Sequence, residues 1–590
     1  MAGGVTSPLS ILRETFGFQD FRGVQAAVID RVLAGRHTLA VMPTGAGKSL
    51  CYQVPALARQ GTALVVSPLI ALMHDQIRAA EGFGIRAAAL TSVDNNRAET
   101  VARLKAGALD LLYVAPERAT GAGFRELIGR VPLALIAVDE AHCVSEWGHD
   151  FRPDYRLLKP LLDAFDVPRL ALTATADRRT REDILVQLGI PADGLVVAGF
   201  DRPNIRYHVR RREGLAGQLR ALLAARPGPG IVYAPSREKT ERLAAQLGQS
   251  GRPVLVYHAG LAPEVRAANQ AAFVASEEMV MAATIAFGMG IDKPDVRFVA
   301  HAGLPKSIEA YYQETGRAGR DGEPAEAWLF WAAEDFVRAR RRIETEVEEG
   351  RRVGERERLD ALAAFVETPG CRRAVLLRHF GEDPPERCGN CDNCLEAPEV
   401  VDATEIARKL LSAVYRTGQS FGIGHIEKVL TGKADERVER HGHDRLSVFG
   451  IVEGEEARLI RPAARALQAR GCLAVTEHGG MRLAGEARAI LKGEQRVEIV
   501  APPPKRRRRD RPGATHGADS PLFEALRARR RELAQAANVP PYVIFHDSTL
   551  REMAELKPTT LEALSRISGV GAAKLERHGA AFVEVIRSFA

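Results

Sequence analysis

The sequence predicts an α/β protein with two tandem parallel-sheet domains followed by smaller modules. Short apolar runs alternate with helix-like stretches up to about residue 205, and the pattern restarts after FDRPNI (200–205). Runs that are apolar almost throughout are typical of strands buried on both faces, as in a parallel sheet covered by helices. The predicted strands are HTLAVM (37–42), ALVVSP (63–68), LLYVAP (111–116), LALIAVDE (133–140), RLALTAT (169–175), IVYAPS (231–236), VLVYHAG (254–260), VMAAT (280–284) and VRFVAHAG (296–303).

Length and charge limit the class of protein. At 590 residues the chain is too long for one hydrophobic core, so several domains are expected. The net charge of +7 fits a partner with a phosphate backbone but does not specify one. The sequence has no apolar run of membrane-spanning length and no signal-peptide pattern at its start, so we expect a cytoplasmic protein without membrane contact.

The first chemical motif is MPTGAGKS (42–49), between a predicted strand and a helical stretch. Gly45 and Gly47 let backbone N–H groups approach phosphate oxygens, Lys48 can reach the β- and γ-phosphates, and Ser49 can ligate magnesium. The motif departs from the strict pattern at its first position, where Met stands for Gly. On its own it could be a chance glycine-rich turn.

A second motif, DEAH (139–142), ends the predicted strand LALIAV. Ligands of open α/β sheets bind at the carboxyl ends of the strands. We therefore expect Asp139 to hold magnesium and Glu140 to orient and deprotonate the attacking water. The alternative, a solvated acidic loop, fits poorly beside the phosphate-binding motif.

The third motif, QETGRAGRDG (313–322), lies in the second predicted sheet domain. Arg317 and Arg320 are three residues apart, so we expect both on one helical face. From there they could reach the γ-phosphate across a cleft as arginine fingers. An arginine pair on a helix surface is the alternative.

Four cysteines predict a metal site. Cys371 is followed by the CGNCDNC segment, which contains Cys388, Cys391 and Cys394. Four thiolates suit tetrahedral zinc with a structural role, and an iron–sulfur cluster is the alternative. The other three cysteines lie in apolar surroundings and are interpreted as buried thiols.

Together these motifs resemble those of superfamily 2 helicases, with TGAGKS, DEAH, LTATA and QETGRAGRDG in this order. The stretch AVDEAHCVSEWGHDFRPDY (137–155) resembles the RecQ family, and AFGMGIDKPDVRFV (286–299) extends the likeness. That family has an aromatic-rich loop after its DEAH box. The resemblance implies that this loop can stack on bases and link DNA occupancy to hydrolysis, and a buried aromatic cluster is the alternative. Glu146 stands where the family pattern leads us to expect Gln. The matching loop residues are Trp147, His149, Phe151, Arg152 and Tyr155.

The resemblance also implies an adenine-recognition motif at GFQDFRGVQ (17–25). Phe18 would stack on the base, Gln25 would read its N6 and N7 edge, and Arg22 would support the base or the phosphates. Without the family, this segment is the start of an amphipathic helix. The expected nucleotide-binding set is Phe18, Arg22, Gln25, Thr44, Gly45, Gly47, Lys48, Ser49 and Asp139.

The C-terminal third resembles the accessory parts of the same family. SFGIGHIEKVL (420–430) and HGHDRLSVFGI (441–451) are similar to its winged-helix domain, and ISGVGAAKLERHG (567–579) is similar to its HRDC domain. In the latter, GVG could offer N–H groups to phosphate. The polar segment before it, which includes KRRRR, predicts a flexible linker crossed by few contacts. A basic group could bind DNA or be a solvated face: Arg527, Arg529, Arg530 and Lys574.

The implied architecture is two RecA-like domains, a helical zinc-binding module, a winged-helix domain and a small all-α HRDC domain. The predicted limits are 1–205 and 206–340 for the RecA-like domains, 341–400 for the zinc module, 401–495 for the winged helix, 496–519 for the basic linker and 520–590 for HRDC.

The implied activity is ATP-dependent 3′→5′ unwinding of DNA in repair, recombination, replication and the SOS response. ATP, Mg²⁺ and Zn²⁺ are the implied cofactors. Single-stranded and duplex DNA, single-stranded DNA-binding protein and recombination factors are the implied partners of a monomer. Three alternatives stay open at this point: a translocase that remodels nucleoprotein without unwinding, a DNA-binding scaffold with a decayed ATPase, and an RNA helicase.

Overall fold

The computed structural model describes residues 7–68, 70–91, 96–145, 151–288, 293–475, 480–500, 520–537 and 539–589. The N-terminal part forms a parallel sheet of seven strands in the order β3-β4-β2-β5-β6-β1-β7. These strands are β1 (Thr38–Val41), β2 (Thr62–Val66), β3 (Ala87–Leu90), β4 (Leu111–Val114), β5 (Leu133–Val138), β6 (Arg169–Thr173) and β7 (Leu195–Val197).

Both faces of this sheet are buried, as the apolar runs predict. Along β1, Leu39 and Val41 belong to one hydrophobic cluster, whereas Ala40 belongs to the cluster on the opposite face. The helices that cover the sheet are α1 (Pro8–Ile11), α2 (Gln25–Leu33), α3 (Leu50–Ala58), α4 (Ile70–Gly82), α5 (Arg97–Lys105), α6 (Pro116–Ala119), α7 (Ala122–Ile128), α8 (Pro153–Arg156), α9 (Lys159–Asp163) and α10 (Arg178–Leu188).

A second parallel sheet follows, with six strands in the order β10-β11-β9-β12-β13-β8. Its strands are β8 (Ile205–Arg211), β9 (Gly230–Tyr233), β10 (Val254–Tyr257), β11 (Val280–Ala283), β12 (Phe298–His301) and β13 (Ala325–Trp331). Its helices are α11 (Leu215–Ala225), α12 (Arg237–Gly248), α13 (Pro263–Ala275), α14 (Ile308–Thr315) and α15 (Ala333–Glu346). The α/β prediction and all nine predicted strands are confirmed.

The cysteine segment packs against β8 of the second sheet. The Asp392 carboxylate accepts hydrogen bonds from the Val209 backbone N–H at 2.8 Å and from Arg210 at 3.1 Å. It also accepts one from Arg372 at 3.1 Å, so one buried carboxylate ties the module to the strand. The helices of the module are α16 (Glu349–Glu367), α17 (Arg372–His379) and α18 (Asp392–Leu395).

The same module braces the segment that joins the two sheets. The ring of Phe380 stacks on that of Phe200 with centroids 4.5 Å apart. The Phe200 backbone N–H donates to the Glu382 carboxylate. From the first sheet domain, Arg181 donates to the Phe380 carbonyl at 3.0 Å. The module therefore contacts the first domain, the second domain and the connection between them.

The following region combines helices with two small antiparallel strand pairs, β14 with β17 and β15 with β16. Its elements are β14 (Val400–Asp402), α19 (Thr404–Arg416), α20 (Ile423–Leu430), α21 (Glu436–Arg440), α22 (Ile460–Ala469), β15 (Leu473–Val475), β16 (Met481–Leu483), α23 (Ala487–Lys492) and β17 (Glu498–Val500). The prediction that the linker begins at residue 496 is wrong. Val497 and Ile499 are buried, because this alternating stretch leads into and forms β17. KRRRR (505–509) lies outside the described residues.

Helices are the secondary-structure elements of the described C-terminal residues: α24 (Pro521–Ala536), α25 (Pro541–Ile544), α26 (Asp547–Leu556), α27 (Leu561–Leu564) and α28 (Ala572–Arg587). The C-terminal domain docks on the second sheet domain through Glu277. That buried carboxylate accepts hydrogen bonds from Arg530 at 2.6 Å, Arg527 at 2.9 Å and Arg531 at 2.8 Å.

The same domain also touches the first sheet domain. The Gly569 N–H donates to the Gly17 carbonyl at 3.1 Å, and the Lys574 ammonium lies 5.0 Å from the Phe83 ring centroid. The expectation of few contacts across the linker is therefore wrong. Of the arginines interpreted as a solvated or DNA-binding face, Arg527 and Arg530 pair with Glu277, about 250 residues earlier, whereas Arg529 pairs with Glu532 on its own helix. Among the described residues, no helix is long and apolar enough to cross a membrane.

Candidate nucleotide site and metal centre

The phosphate-binding motif forms the turn between β1 and α3. Gly45 and Gly47 have φ angles of 84° and 72°, which glycine adopts without strain. A Cβ on Gly47 would lie 2.5 Å from Nε2 of Gln25, so this position has no room for a side chain. Lys48 Nζ donates to the Met42 carbonyl at 3.4 Å, which holds the ammonium within the turn. The backbone therefore has the shape that a phosphate group requires.

The two carboxylates of DEAH follow β5 directly. The Asp139 N–H donates to the Val66 carbonyl of β2 at 2.8 Å. Glu140 has a φ of 49°, a left-handed conformation that costs a non-glycine residue about 1 kcal/mol or more. Burial and the neighbouring Glu140 raise the pKa of Asp139, and Lys48 partly opposes them. A carboxylate in this environment is well suited to bind a cation.

His142 connects the acidic motif to the end of β6. Its Nδ1 lies 3.0 Å from the Thr173 hydroxyl and 3.4 Å from Oε2 of Glu140. Since β6 lies between β5 and β1, the LTATA segment is next to both the acidic residues and the phosphate-binding turn. The buried His142 imidazole therefore lies between this segment and Glu140.

The two predicted arginine fingers do not lie on a helix. Helix α14 ends at Thr315, and Arg317 and Arg320 lie in the turns that follow. The expectation of one helical face is therefore wrong. Gly319 has a φ of 56°, which no right-handed helix allows.

A cavity of 540 Å³ between the two sheet domains collects the predicted catalytic residues. Its volume is within the range of small-molecule sites. The Thr44 hydroxyl is buried and has no hydrogen-bond partner among the described residues. The Ser49 hydroxyl lies 2.7 Å from Oε1 of Gln76, a residue not predicted from the sequence. The predicted residues that line the cavity are Thr44, Gly45, Gly47, Lys48, Ser49, Asp139, Glu140, Arg317 and Arg320.

The four predicted metal ligands also converge. The Sγ atoms of Cys371, Cys388, Cys391 and Cys394 all lie within 4.8 Å of one another, and two of the pairs are 4.0 Å apart. Tetrahedral zinc with Zn–S bonds of about 2.3 Å requires sulfur separations of about 3.8 Å. The arrangement fits zinc in a closed structural site.

Comparison with protein-family models covers nearly the whole chain. A DEAD/DEAH box helicase model matches residues 22–184, and a helicase conserved C-terminal domain matches 215–322. RecQ zinc-binding matches 333–395, an RQC domain matches 397–508, and an HRDC domain matches 519–586.

Two curated proteins are similar over nearly their full lengths. The chain is 42% identical to the ATP-dependent DNA helicase RecQ of Haemophilus influenzae, covering 98% of this chain and 95% of the relative. It is 37% identical to the ATP-dependent DNA helicase RecQ of Bacillus subtilis, covering 98% of both. The chain belongs to the RecQ family of ATP-dependent DNA helicases.

RecQ membership confirms the predicted fold class of two RecA-like domains, a zinc-binding module, a winged-helix domain and an HRDC domain. It also identifies the cysteine cluster as part of the RecQ zinc-binding module. Apart from the start of the linker, the domain limits given above stay predictions.

The segment predicted to recognise adenine lies behind the phosphate-binding turn of this RecQ protein. The Gln25 amide donates to the Ala46 and Gly47 carbonyls at 2.9 and 3.2 Å, and its oxygen accepts the Arg22 N–H at 2.8 Å. In this conformation the amide is therefore engaged by backbone and is not presented to a base. The Arg22 guanidinium lies 5.8 Å from the Phe18 ring centroid. The predicted roles of these residues in adenine recognition stay predictions.

Only part of the RecQ aromatic loop is described, because Trp147 and His149 lie outside the described residues. Phe151 is half-buried, and Arg152 donates to the Pro68 carbonyl at 3.3 Å. Tyr155 is 0% exposed, and its hydroxyl donates to the Asp139 carbonyl at 2.9 Å. It cannot stack on a base from this position, which differs from the aromatic surface we expected there. The contact with Asp139 instead ties the loop to the acidic motif.

Two residues of this region were missed by sequence reasoning. Gln76 contacts Ser49, and Arg202 bonds to the backbone of both nucleotide-facing loops. Arg202 lies within FDRPNI, but nothing in its local sequence indicates a partner 158 residues earlier. A single polar residue whose partners are distant backbone carbonyls produces no recognisable sequence pattern.

Proposed function

We propose that this RecQ-family protein is a 3′→5′ DNA helicase in which the two RecA-like domains close on ATP. The single observation that carries the mechanism is the cavity between the domains. Lys48, Asp139 and Glu140 face it from one side, and Arg317 and Arg320 face it from the other. A site assembled from two domains links hydrolysis to their relative movement, which is what a translocating motor requires.

Within this cavity, Lys48 binds the β- and γ-phosphates and Glu140 orients and deprotonates the attacking water. Ser49 and Asp139 would hold Mg²⁺, which supplies charge neutralisation to the phosphates when bound. Arg317 and Arg320 stabilise the charge that develops on the transferred phosphoryl group. The buried Thr44 hydroxyl and the two positive-φ glycines support a phosphate ligand here.

The loop after DEAH couples DNA to this chemistry. Tyr155 bonds to the backbone of Asp139, so a displacement of the loop reaches the acidic pair through one hydrogen bond. Bases would stack on, or phosphates would bind to, the side chains of Trp147, His149, Phe151 and Arg152. Stacking has little sequence preference, as a motor moving on arbitrary DNA requires.

The partners follow from this activity. DNA is the family's substrate. We propose that single-stranded DNA-binding protein and recombination factors are protein partners, that the chain acts as a monomer in the cytoplasm, and that its work lies in DNA repair and recombination.

Strand displacement tests the proposal. Labelled duplexes with a 3′ tail, a 5′ tail or no tail are incubated with the full chain, ATP and Mg²⁺. We expect unwinding of the 3′-tailed duplex alone, and none with Lys48→Ala. ATP-dependent displacement of streptavidin from biotinylated single strands without unwinding would favour the nucleoprotein-remodelling translocase instead. Stronger stimulation of the ATPase by RNA than by DNA would contradict the proposed substrate.

A further inference from the structure

Arg202 lies in the segment that joins the two RecA-like domains. Its side chain is buried, with 8% of the residue exposed. The guanidinium donates to four backbone carbonyls, those of Thr44 at 2.6 Å, Gly316 at 3.2 Å, Ala318 at 3.0 Å and Gly319 at 2.9 Å. A planar fork of donors suits a set of fixed acceptors that no single ammonium could span.

These four carbonyls belong to two functional loops on different domains. Thr44 lies in the phosphate-binding turn of the first domain, whereas the other three flank the two arginines of the second domain. The loops are in close contact here. A Cβ on Gly316 would lie 3.1 Å from the Thr44 Cβ, and one on Gly45 would lie 3.4 Å from the Arg320 Cα. Arg202 therefore spans the junction at which the cleft closes.

The buried charge of Arg202 favours the arrangement in which the two loops are in contact. Burial lowers the pKa of Arg202, since removing a guanidinium from water costs free energy. Four charge-assisted hydrogen bonds offset that cost only while both loops are within reach. If the domains separate, the bond to Thr44 or the bonds to the second loop must be lost. All four bonds are made in the arrangement seen here, in which the two loops are in contact.

We propose that Arg202 is a positioning residue for ATP hydrolysis, which holds the turn carrying Arg317 and Arg320 against the phosphate-binding turn in the closed cleft. The inference rests on the proposed function of that cleft. Arg202 itself is bonded to backbone carbonyls and does not line the cavity. It acts on the chemistry through the placement of the two arginines, so its loss should lower turnover more than ATP affinity.

Arg252 offers a matched control. Its guanidinium also donates to four backbone carbonyls, those of Leu223, Arg226, Gly228 and Glu278. All four belong to the second RecA-like domain, so this arginine stabilises one domain and bridges nothing. A purely structural role for Arg202 predicts that the two arginines behave alike when substituted.

The experiment uses full-length wild type, Arg202→Ala, Arg202→Lys and Arg252→Ala. Steady-state ATPase is measured with and without oligothymidylate, together with affinity for adenylyl-imidodiphosphate and the thermal midpoint. We expect Arg202→Ala to lower DNA-stimulated kcat by about tenfold or more, with analogue affinity within about threefold of wild type. The kcat of Arg202→Lys should lie between those of wild type and Arg202→Ala, because an ammonium cannot reach both loops. Arg252→Ala should lower the thermal midpoint but keep kcat within about twofold.

A double substitution sharpens the result. Gly316→Ala inserts a methyl group at the same junction, so Arg202→Ala/Gly316→Ala should lower kcat little more than the worse single variant. Additive losses would overturn the inference. So would wild-type kcat in Arg202→Ala, or losses of kcat, affinity and stability that parallel those of Arg252→Ala. If Arg202→Ala is insoluble, wild-type kcat in Arg202→Lys overturns it. A wild-type protein without DNA-stimulated ATPase would instead refute the proposed function.

Discussion

Glu277 is the residue on which docking of the HRDC domain depends. Its side chain is 6% exposed and that of Arg530 is 2% exposed, so their ion pair is almost fully removed from water. Removing one member of such a buried pair costs about 3–5 kcal/mol, and we expect the lower end of this range because Arg530 keeps Asp547 as a partner at 2.7 Å. Arg531 is 48% exposed and adds little by comparison. Glu277→Ala should therefore weaken docking by more than about a hundredfold, at about 1.4 kcal/mol per factor of ten.

Hydrogen exchange at the Gly569 N–H measures the loss of HRDC docking at a contact distant from Glu277. The Gly569 N–H bonds to the Gly17 carbonyl only while the HRDC domain is docked. In Glu277→Ala, the peptide containing Gly569 should lose its protection, and the radius of gyration from X-ray scattering should rise. Glu278→Ala, at the exposed neighbouring position, is the control and should behave as wild type. Unchanged exchange at Gly569 in Glu277→Ala would refute the reasoning.

Docking also has a predictable pH dependence. Burial raises the pKa of Glu277, but Arg530 and Arg527 lower it more, and the net direction is downward. A carboxylate with a lowered pKa contributes stability above its unperturbed pKa and loses it as the pH falls through the lowered value. The Gly569 exchange rate, corrected for intrinsic chemistry, should be constant around neutral pH. It should rise only below the ordinary glutamate range.

The remaining predictions concern the motor and the metal. Glu140→Gln should bind ATP with near-normal affinity but hydrolyse it at least about a hundredfold more slowly in a single-turnover assay. Wild-type turnover in this variant would show that the general base lies elsewhere. Trp147→Ala or Phe151→Ala should abolish most of the stimulation of ATPase by single-stranded DNA with little change in ATP affinity, and surviving stimulation would exclude DNA sensing by the loop. Metal analysis should find one zinc ion in the wild-type protein, and Cys391→Ser should give insoluble or protease-sensitive protein. Iron in active wild-type protein would contradict the zinc assignment.

The sequence predicted nine strands of the two parallel sheets and missed four, β3, β7, β8 and β13. Two of the missed strands are not uniformly apolar. β8 reads IRYHVRR, and β13 contains Glu326, so neither resembles a buried run. Both are nevertheless in the second sheet. Asp392 binds the polar groups of β8, and Glu326 pairs with Arg226 at 2.7 Å. Long-range ion pairs make these strands compatible with burial, and no local pattern reveals such pairs.

The residues of the proposed nucleotide site could be located from the sequence because they are consecutive in short motifs. The turn at 42–49 and the acidic pair at 139–140 are placed by the strands before them, which the apolar runs already located. Arg202 and Glu277 were missed because each is a single charged residue whose partners lie more than 100 residues away. The basic face of α24 was misinterpreted for the same reason. Its partner, Glu277, could not be identified without the fold.

The zinc module sets a preferred angle between the two RecA-like domains. The stack of Phe380 on Phe200 contributes about 1 kcal/mol, and the bond from Arg181 to the Phe380 carbonyl contributes about 2 kcal/mol. If both contacts break when the cleft opens, a difference of about 3 kcal/mol corresponds to roughly a hundredfold bias in population. The module would then favour the angle between the domains seen here and oppose opening of the cleft.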